Sequence, residues 1–373
     1  MKRLVVTCRS TTHFFGRWAE LLEGIMIRVP AYAAKSAGVP LQPFEIERRT
    51  PGPRDVVVDI HFCGVCHSDI HQARDEWGGS EFPMVPGHEI VGKVEQVGTA
   101  VKKFKVGDPV GVGCMVNSCR TCGSCKEGFE QYCEVGVNWT YNSTERDGVT
   151  RTHGGYSTKI VVDEDFVLTI SPKLSLAHAA PLLCAGITTY SPLRHWEVGR
   201  GQRVGILGLG GLGHMAVKLA SAMGAEVIVF SSSDKKREDS LRMGAVEHIA
   251  TKDPENLKRF SKYFQLIVNT VSAPHNLPQY LDLLKRDGTM VVVGIPETPE
   301  ALPAMPLISK RRSISGSLIG GVRETQEMLD FCGENGIASD VEVIPIQGIN
   351  EAYARIIRGD VRYRFVIDLN SLR

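Results

Sequence analysis

The chain has 373 residues, with 43 Lys plus Arg against 42 Asp plus Glu, a formal net charge of +1, and 43% apolar residues. At roughly 150 residues per domain, that length predicts two or three domains with sizeable cores. The near-neutral balance supplies no global field for gripping nucleic acid or an anionic membrane, and the composition excludes disorder, collagen, coiled coil and a disulfide scaffold.

Residues 1–25 carry Arg3, Arg9 and Arg17 among Ser and Thr, but also Glu20 and Glu23 and no long apolar core. The stretch reads as an N-terminal extension rather than a secretory signal, with an organellar targeting segment as the weaker alternative. No run reaches the roughly 18 apolar residues of a membrane span, so a cytoplasmic protein is expected. From Met26 to about residue 183 the chain is punctuated by Gly and Pro, with β-like runs at Asp55–Phe62, Ile90–Val97, Pro109–Val112 and Tyr156–Val162. Turn dipeptides such as Gly107-Asp108 separate them, which predicts a compact, mostly β domain.

Over 184–320 the pattern changes. Strands are predicted at Gln202–Leu207, Glu226–Phe230, Phe264–Asn269 and Thr289–Val293, alternating with helices at Leu212–Met223, Asp234–Met243 and Leu277–Leu284. Apolar strands alternating with helices predict a parallel α/β sheet covered on both faces. The last segment, 321–373, holds two helical patterns, Glu324–Glu334 and Asn350–Ile357, and a strand at Tyr363–Ile367. That tail either finishes the α/β sheet or returns to the β domain. Lys310-Arg311-Arg312 reads as a solvated face.

Gly208, Gly210 and Gly213 form G-x-G-x-x-G, with Gly211 and Leu212 inside it, between a predicted strand and a predicted helix. In that context the glycines allow a tight turn and close approach to a pyrophosphate at the helix N-terminus. An NAD site expects an acid about 20 residues further on, to hold the adenosine ribose hydroxyls. Here the strand ends in Ser231 and continues Ser232, Ser233, Asp234, Lys235, Lys236, Arg237. Hydroxyls and cations accept a 2′-phosphate that a carboxylate would repel, so NADP is favoured, with Asp234 as the residue that argues the other way.

Ten cysteines in a long chain lacking a secretion signal point to metal or catalysis rather than disulfides. Cys119, Cys122, Cys125 and Cys133 crowd into a C-x₂-C-x₂-C-x₇-C run. Four thiolates in so short a span make a closed tetrahedral shell for a structural zinc. A second group is dispersed: Cys63 to His71 (CGVCHSDIH), Gly87-His88-Glu89 and Cys184. Spacing alone does not single these out, since a lone His or Cys is more often a core residue.

Taken together, CGVCHSDIH, VPGHEIVGKVEQVG (Val85–Gly98), the four-cysteine run, PLLCAGITTYSPL (Pro181–Leu193), GLGGLG, SSSDKKR and GSLIGGVRETQEML (Gly316–Leu329) resemble the zinc-dependent medium-chain dehydrogenase/reductases. The similarity is to their cinnamyl-alcohol-dehydrogenase-like branch of NADP-dependent aldehyde reductases, from about Met26 to the C-terminus. It implies a GroES-like catalytic domain (26–183), a Rossmann domain (184–320) and a tail (321–373) returning to the catalytic domain. It also implies two zinc ions per chain, the catalytic one on Cys66, His88 and Cys184 with Glu89 able to enter the shell, plus NADP(H). Three protein ligands and an open position suit a Lewis-acid site for hydride transfer between nicotinamide and an aldehyde or alcohol.

Within that resemblance Ser68 and His71 match a proton relay, and Thr188 lies against the nicotinamide. Trp77, Trp139, Leu318 and Ile319 fall near positions lining the substrate pocket, suiting aromatic or medium-chain aldehydes. Cys63 matches no ligand and is expected to pack. His67 is expected to touch a cofactor phosphate or to support the site, and the role of Glu76 stays open. Small-molecule substrates are the expected partners, and relatives are often homodimers. Three alternatives stand beside this reading: an NAD-dependent polyol or short-chain alcohol dehydrogenase on the same fold, a zinc-free quinone reductase of the superfamily, and a non-catalytic zinc-ribbon binding module.

Overall fold

The computed structural model describes residues 26–295 and 302–373, so the extension expected over 1–25, with Cys8, lies outside the described residues. Two sheets organise the chain. An antiparallel ribbon of β1 (Ile27–Ala33) and β2 (Gln42–Arg48) precedes the first. That sheet is built from β3 (Asp55–Gly64), β4 (Ile90–Val97) and β5 (Pro109–Val112), with β8 (Lys159–Asp163) pairing β3 and β9 (Leu168–Thr169) pairing β5. A short pair, β6 (Met115–Asn117) with β7 (Asn138–Trp139), brackets the four-cysteine lobe. Val56, Val57 and Val58 are buried at consecutive positions, so β3 is covered on both faces rather than alternating in and out.

The second sheet is wholly parallel. It contains β10 (Arg203–Leu207), β11 (Glu226–Ser231), β12 (Glu247–Ala250), β13 (Phe264–Asn269), β14 (Leu284–Val292) and β15 (Ser313–Gly316), in the order β12-β11-β10-β13-β14-β15. The chain winds outward from β10 in both directions, so the strand order reverses between β10 and β13. Ligands of such doubly wound sheets bind at that switch point, beyond the carboxyl ends of the strands. After β15 the helix Val322–Asn335 leads to β16 (Val341–Pro345) and β17 (Arg364–Asp368). Strand β17 runs antiparallel to β3, with Val366 opposite Gly64, so the tail closes on the first sheet.

Three local expectations are adjusted. The run expected to be helical through Leu284 stops at Leu281, because Leu284 already pairs with Phe264; the chain then bulges, with Asp287 at φ 65°, before Thr289 pairs with Leu266. Tyr156 and Ser157 are not part of β8: their bonds go to Pro86, Tyr32 and Ala31. Arg312 is not on a solvated face. It is buried, with its guanidinium on the Leu284 carbonyl at 2.8 Å, the Pro306 carbonyl at 3.1 Å and the Asp282 carboxylate at 3.0 Å, which together compensate its desolvation. No helix among the described residues is long and apolar enough to cross a membrane.

Candidate metal and dinucleotide site

Cys66 caps the helix His67–Ala73 where β3 ends, His88 and Glu89 lead into β4, and Cys184 caps the helix Ala185–His195. The four side chains are buried, and their ligand atoms all lie within 4.8 Å of one another, with the Cys66 and Cys184 sulfurs 3.8 Å apart. Donor chemistry fits a zinc ion: two thiols, an imidazole and a carboxylate. Two polar atoms of these side chains, His88 Nε2 and Glu89 Oε2, are buried without a hydrogen-bond partner, which is costly unless something else meets them. The neighbouring Cys184 thiol lowers the pKa of Cys66 well below its ordinary value, helped by Arg364 and His88, as a metal-binding thiolate requires.

Charged residues that sequence reasoning missed hold this group. Asp69, fully buried, accepts from the Cys66 N–H at 2.8 Å, the Gly87 N–H at 3.2 Å and the Tyr156 hydroxyl at 3.1 Å, and lies 3.7 Å from His88 Nδ1. Its position in the third residue of a helix capped by Cys66 was a usable signal. Arg364, on β17, is buried and ion-paired with Glu89, and its side chain packs against Gly211 of the Gly-rich turn. Burial pushes the Glu89 carboxyl up while the Arg364 guanidinium opposes it. Cys114 lies against the Leu183 carbonyl at 3.8 Å, beside the ligand cluster.

Beside the cluster, Ser68 Oγ is 3.6 Å from the Cys66 sulfur. His71, one helical turn further on, is buried, and its Nδ1 meets the Glu76 carboxylate. Its ring is sandwiched between His67, at 4.7 Å, and Trp77, at 4.8 Å. Trp77 is therefore a rim residue, 42% exposed, and His67 is solvent-facing. Cys63 packs in the core. Thr188 is buried one turn after Cys184, its N–H bonded to the Cys184 carbonyl at 2.9 Å. Ile319, at φ 36°, lines a small cavity with Cys114, Leu183 and Ile187, whereas Leu318 is exposed and Trp139 half-buried on β7.

The Gly-rich turn opens at the switch point. Gly208 has φ 87°, and a Cβ on Gly213 would lie 2.1 Å from the Gly208 carbonyl, so the turn tolerates no side chain there. Ser231 stands at the end of β11 with Ser232 exposed after it, and no carboxylate occupies the strand end. Asp234 is exposed and paired with Arg237 at 2.6 Å. Lys236 turns back, its Nζ donating to the Leu209 carbonyl at 3.0 Å.

In the lobe, the four thiols of Cys119, Cys122, Cys125 and Cys133 also lie within 4.8 Å of one another. The N–H groups of Thr121 and Cys122 point at the Cys119 sulfur and lower its pKa to about 5. The lobe abuts the chain after β15: Tyr132 accepts the Leu318 N–H at 3.2 Å and Glu130 the Val322 N–H at 3.0 Å. Contact is so close that a Cβ on Gly321 would stand 1.8 Å from the Gly128 carbonyl.

Comparison with known proteins matches both halves of the chain. Residues 52–172 match the alcohol dehydrogenase GroES-like domain and residues 211–334 the zinc-binding dehydrogenase domain. The sequence is 59% identical over 349 residues to an NADP-dependent alcohol dehydrogenase C of Mycolicibacterium smegmatis, covering 93% of this chain and 100% of that one. It is 55% identical to an aldehyde reductase of Escherichia coli over 348 residues, 93% of this chain and 99% of that one. Among solved structures, a cinnamyl alcohol dehydrogenase of Sorghum bicolor superposes with a TM-score of 0.89 at 45% identity, covering 92% of this chain and 98% of that one. The Helicobacter pylori enzyme complexed with NADP(H) gives 0.87 at 43% identity, with 93% and 99% covered.

Proposed function

The chain belongs to the zinc-binding alcohol dehydrogenases with a GroES-like domain, and from that membership we propose that it is an NADP-dependent alcohol dehydrogenase working mainly as an aldehyde reductase. One observation carries the reading: two thiols and an imidazole, 118 positions apart at the extremes, converge in a buried cluster beside the Gly-rich turn. Cys66, His88 and Cys184 hold one zinc, with Glu89 at its edge, and the four-cysteine lobe holds a second. Zinc at the first site supplies a Lewis acid for the carbonyl oxygen, and NADPH supplies the hydride.

The chain's own residues do the rest. Asp69 fixes the Cys66 backbone and the edge of His88, and Arg364 neutralises Glu89, so the donor set is held before any substrate arrives. Ser68 donates a proton to the nascent product oxygen, and His71 restores it from solvent. Glu76, bonded to His71 Nδ1, fixes the orientation of that ring. Thr188 lines the nicotinamide side; Gly208 to Gly213 take the pyrophosphate; Ser231, Ser232 and Lys236 take the 2′-phosphate. Trp77, Trp139, Leu318 and Ile319 wall a pocket for aromatic or medium-chain aldehydes. The protein acts in the cytoplasm as a homodimer joined along the edge strand β15, next to which Met305 and Ile308 expose apolar surface.

An aldehyde panel, aromatic through aliphatic, run with each coenzyme tests the reading. NADPH oxidation that depends on aldehyde, and two zinc per chain by elemental analysis, are expected. A clear preference for NADH shifts the assignment to the NAD-dependent enzymes of the fold. Absence of any aldehyde-dependent turnover leaves only a zinc-binding module.

A further inference from the structure

The residue after Arg362 lies at a junction that the chemistry above does not use. Tyr363 is buried, and its ring is stacked on His214 at 5.2 Å and 11° between planes. Over the same ring stands the Lys236 ammonium, 5.0 Å from the centroid, while Lys236 also donates to the Leu209 carbonyl of the Gly-rich turn. The Tyr363 hydroxyl donates to Asp239 Oδ2 at 2.7 Å. Asp239 lies one helical turn from Lys236 and is the acid best placed to draw the ammonium away. Arg362 and Arg242, the latter at 3.0 Å, pair with it as well, so its oxygens are already engaged.

We infer that Tyr363 is a positioning residue for coenzyme choice: its ring seats the Lys236 ammonium beside the Gly-rich turn, and its hydroxyl keeps Asp239 from capturing that ammonium. The inference rests on the reading that Lys236 meets the 2′-phosphate of NADP. It follows from position and charge. A lysine on an exposed first turn sweeps a wide volume, and an aromatic face holds a cation with little loss of its hydration. Tyr363 comes from the tail that pairs with the first sheet, whereas Lys236 belongs to the second, so the tail thereby takes part in selecting the nucleotide.

Calorimetric titration of the zinc-loaded full chain with 2′,5′-ADP and with 5′-AMP tests this without turnover, since the two ligands differ by the 2′-phosphate alone. Tyr363→Leu is expected to weaken 2′,5′-ADP about three- to tenfold, the range of a partly exposed cation–π contact, while 5′-AMP stays unchanged. In the Lys236→Ala background the same change should add nothing, because the ring then has no ammonium to seat. Should Tyr363→Leu not fold, Tyr363→Phe and the mono-, di- and trifluorinated analogues of that variant keep the ring shape while draining charge from its face. Binding of 2′,5′-ADP should then weaken stepwise with fluorination. Equal losses for both ligands, or no dependence on fluorination, would overturn the inference and leave Tyr363 a packing residue. If Lys236→Ala itself fails to separate the two ligands, the assignment of the 2′-phosphate to Lys236 falls, and the inference with it.

Discussion

Replacing His214 by Gln should flatten the acid limb of the stability curve. The ring is fully buried against Tyr363, with Nε2 3.0 Å from the Ser339 hydroxyl and Nδ1 3.3 Å from the Gly210 carbonyl. Burial, with Lys218 and Arg364 nearby, lowers its pKa from 6.5 to about 3. Between those values the unfolded chain binds a proton that the folded chain refuses. The contribution is therefore complete above pH 6.5 and drains away as the pH falls toward 3. Each pH unit in that window is worth about 1.4 kcal/mol, so descending to pH 5 removes about 2 kcal/mol and descending to pH 4 about 3 kcal/mol. Gln retains an amide donor but takes up no proton. Urea unfolding of the zinc-loaded protein and of His214→Gln, near pH 7 and near pH 5, measures the difference directly. Other acid-sensitive groups, such as His153, which burial lowers to about 4, act on both proteins and cancel. The gap between the two proteins should move by about 2 kcal/mol over that interval in favour of the variant. Curves that fall in parallel refute the reasoning.

Cys66→Ala should cost about a thousandfold or more in kcat/KM and lower the zinc content to about one per chain, with the circular dichroism spectrum unchanged. Near-normal turnover would show that the catalytic metal is held elsewhere. Cys122→Ala should instead lower the melting temperature by about 10 °C, because within the lobe only Cys125 and Gln131 are buried and little besides the metal holds it. An unchanged melting curve would remove the structural role. Ser231→Asp sets a carboxylate where the 2′-phosphate is expected; a repulsion of about 2 kcal/mol predicts roughly a thirtyfold rise in the NADPH KM, with NADH little changed. Equal effects on both coenzymes would place the phosphate away from β11.

Legibility in the sequence followed the range of the interactions. Four of the six strands of the parallel sheet were readable because each is a short apolar run fixed by its own turn, and β13 falls on the residues expected from its pattern alone, whereas β12 and β15, each four residues long with polar residues among them, were missed. The four-cysteine lobe was readable because its donors lie within one loop. The dispersed donors carried no such local signal, and only their resemblance to a family joined Cys66 to Cys184. Arg364 was invisible for the same reason in stronger form: its carboxylate partner, Glu89, lies 275 positions away. Arg312 was misread because a run of three cations looks solvated until the carbonyls of Leu284 and Pro306 are brought around one of them.

The tail shows why such residues gather where they do. A dinucleotide laid across the switch point spans both sheets, so the protein needs a segment that reaches the metal cluster and the phosphate end together. Arg362, Tyr363 and Arg364 form that segment. Arg364 pairs with Glu89 beside the donor set and packs on Gly211, while Tyr363 and Arg362 hold Asp239 and the first of them carries Lys236. Because β17 is pinned to β3, the strand that delivers Cys66, a shift of the tail relative to the Gly-rich turn disturbs both ends of the proposed coenzyme site at once. The segment after β15, proposed to wall the substrate pocket, is fixed by a different support, the lobe residues Tyr132 and Glu130. If the proposed roles hold, aldehyde choice and coenzyme choice rest on separate contacts, and substitutions at Tyr132 and at Tyr363 should change them independently.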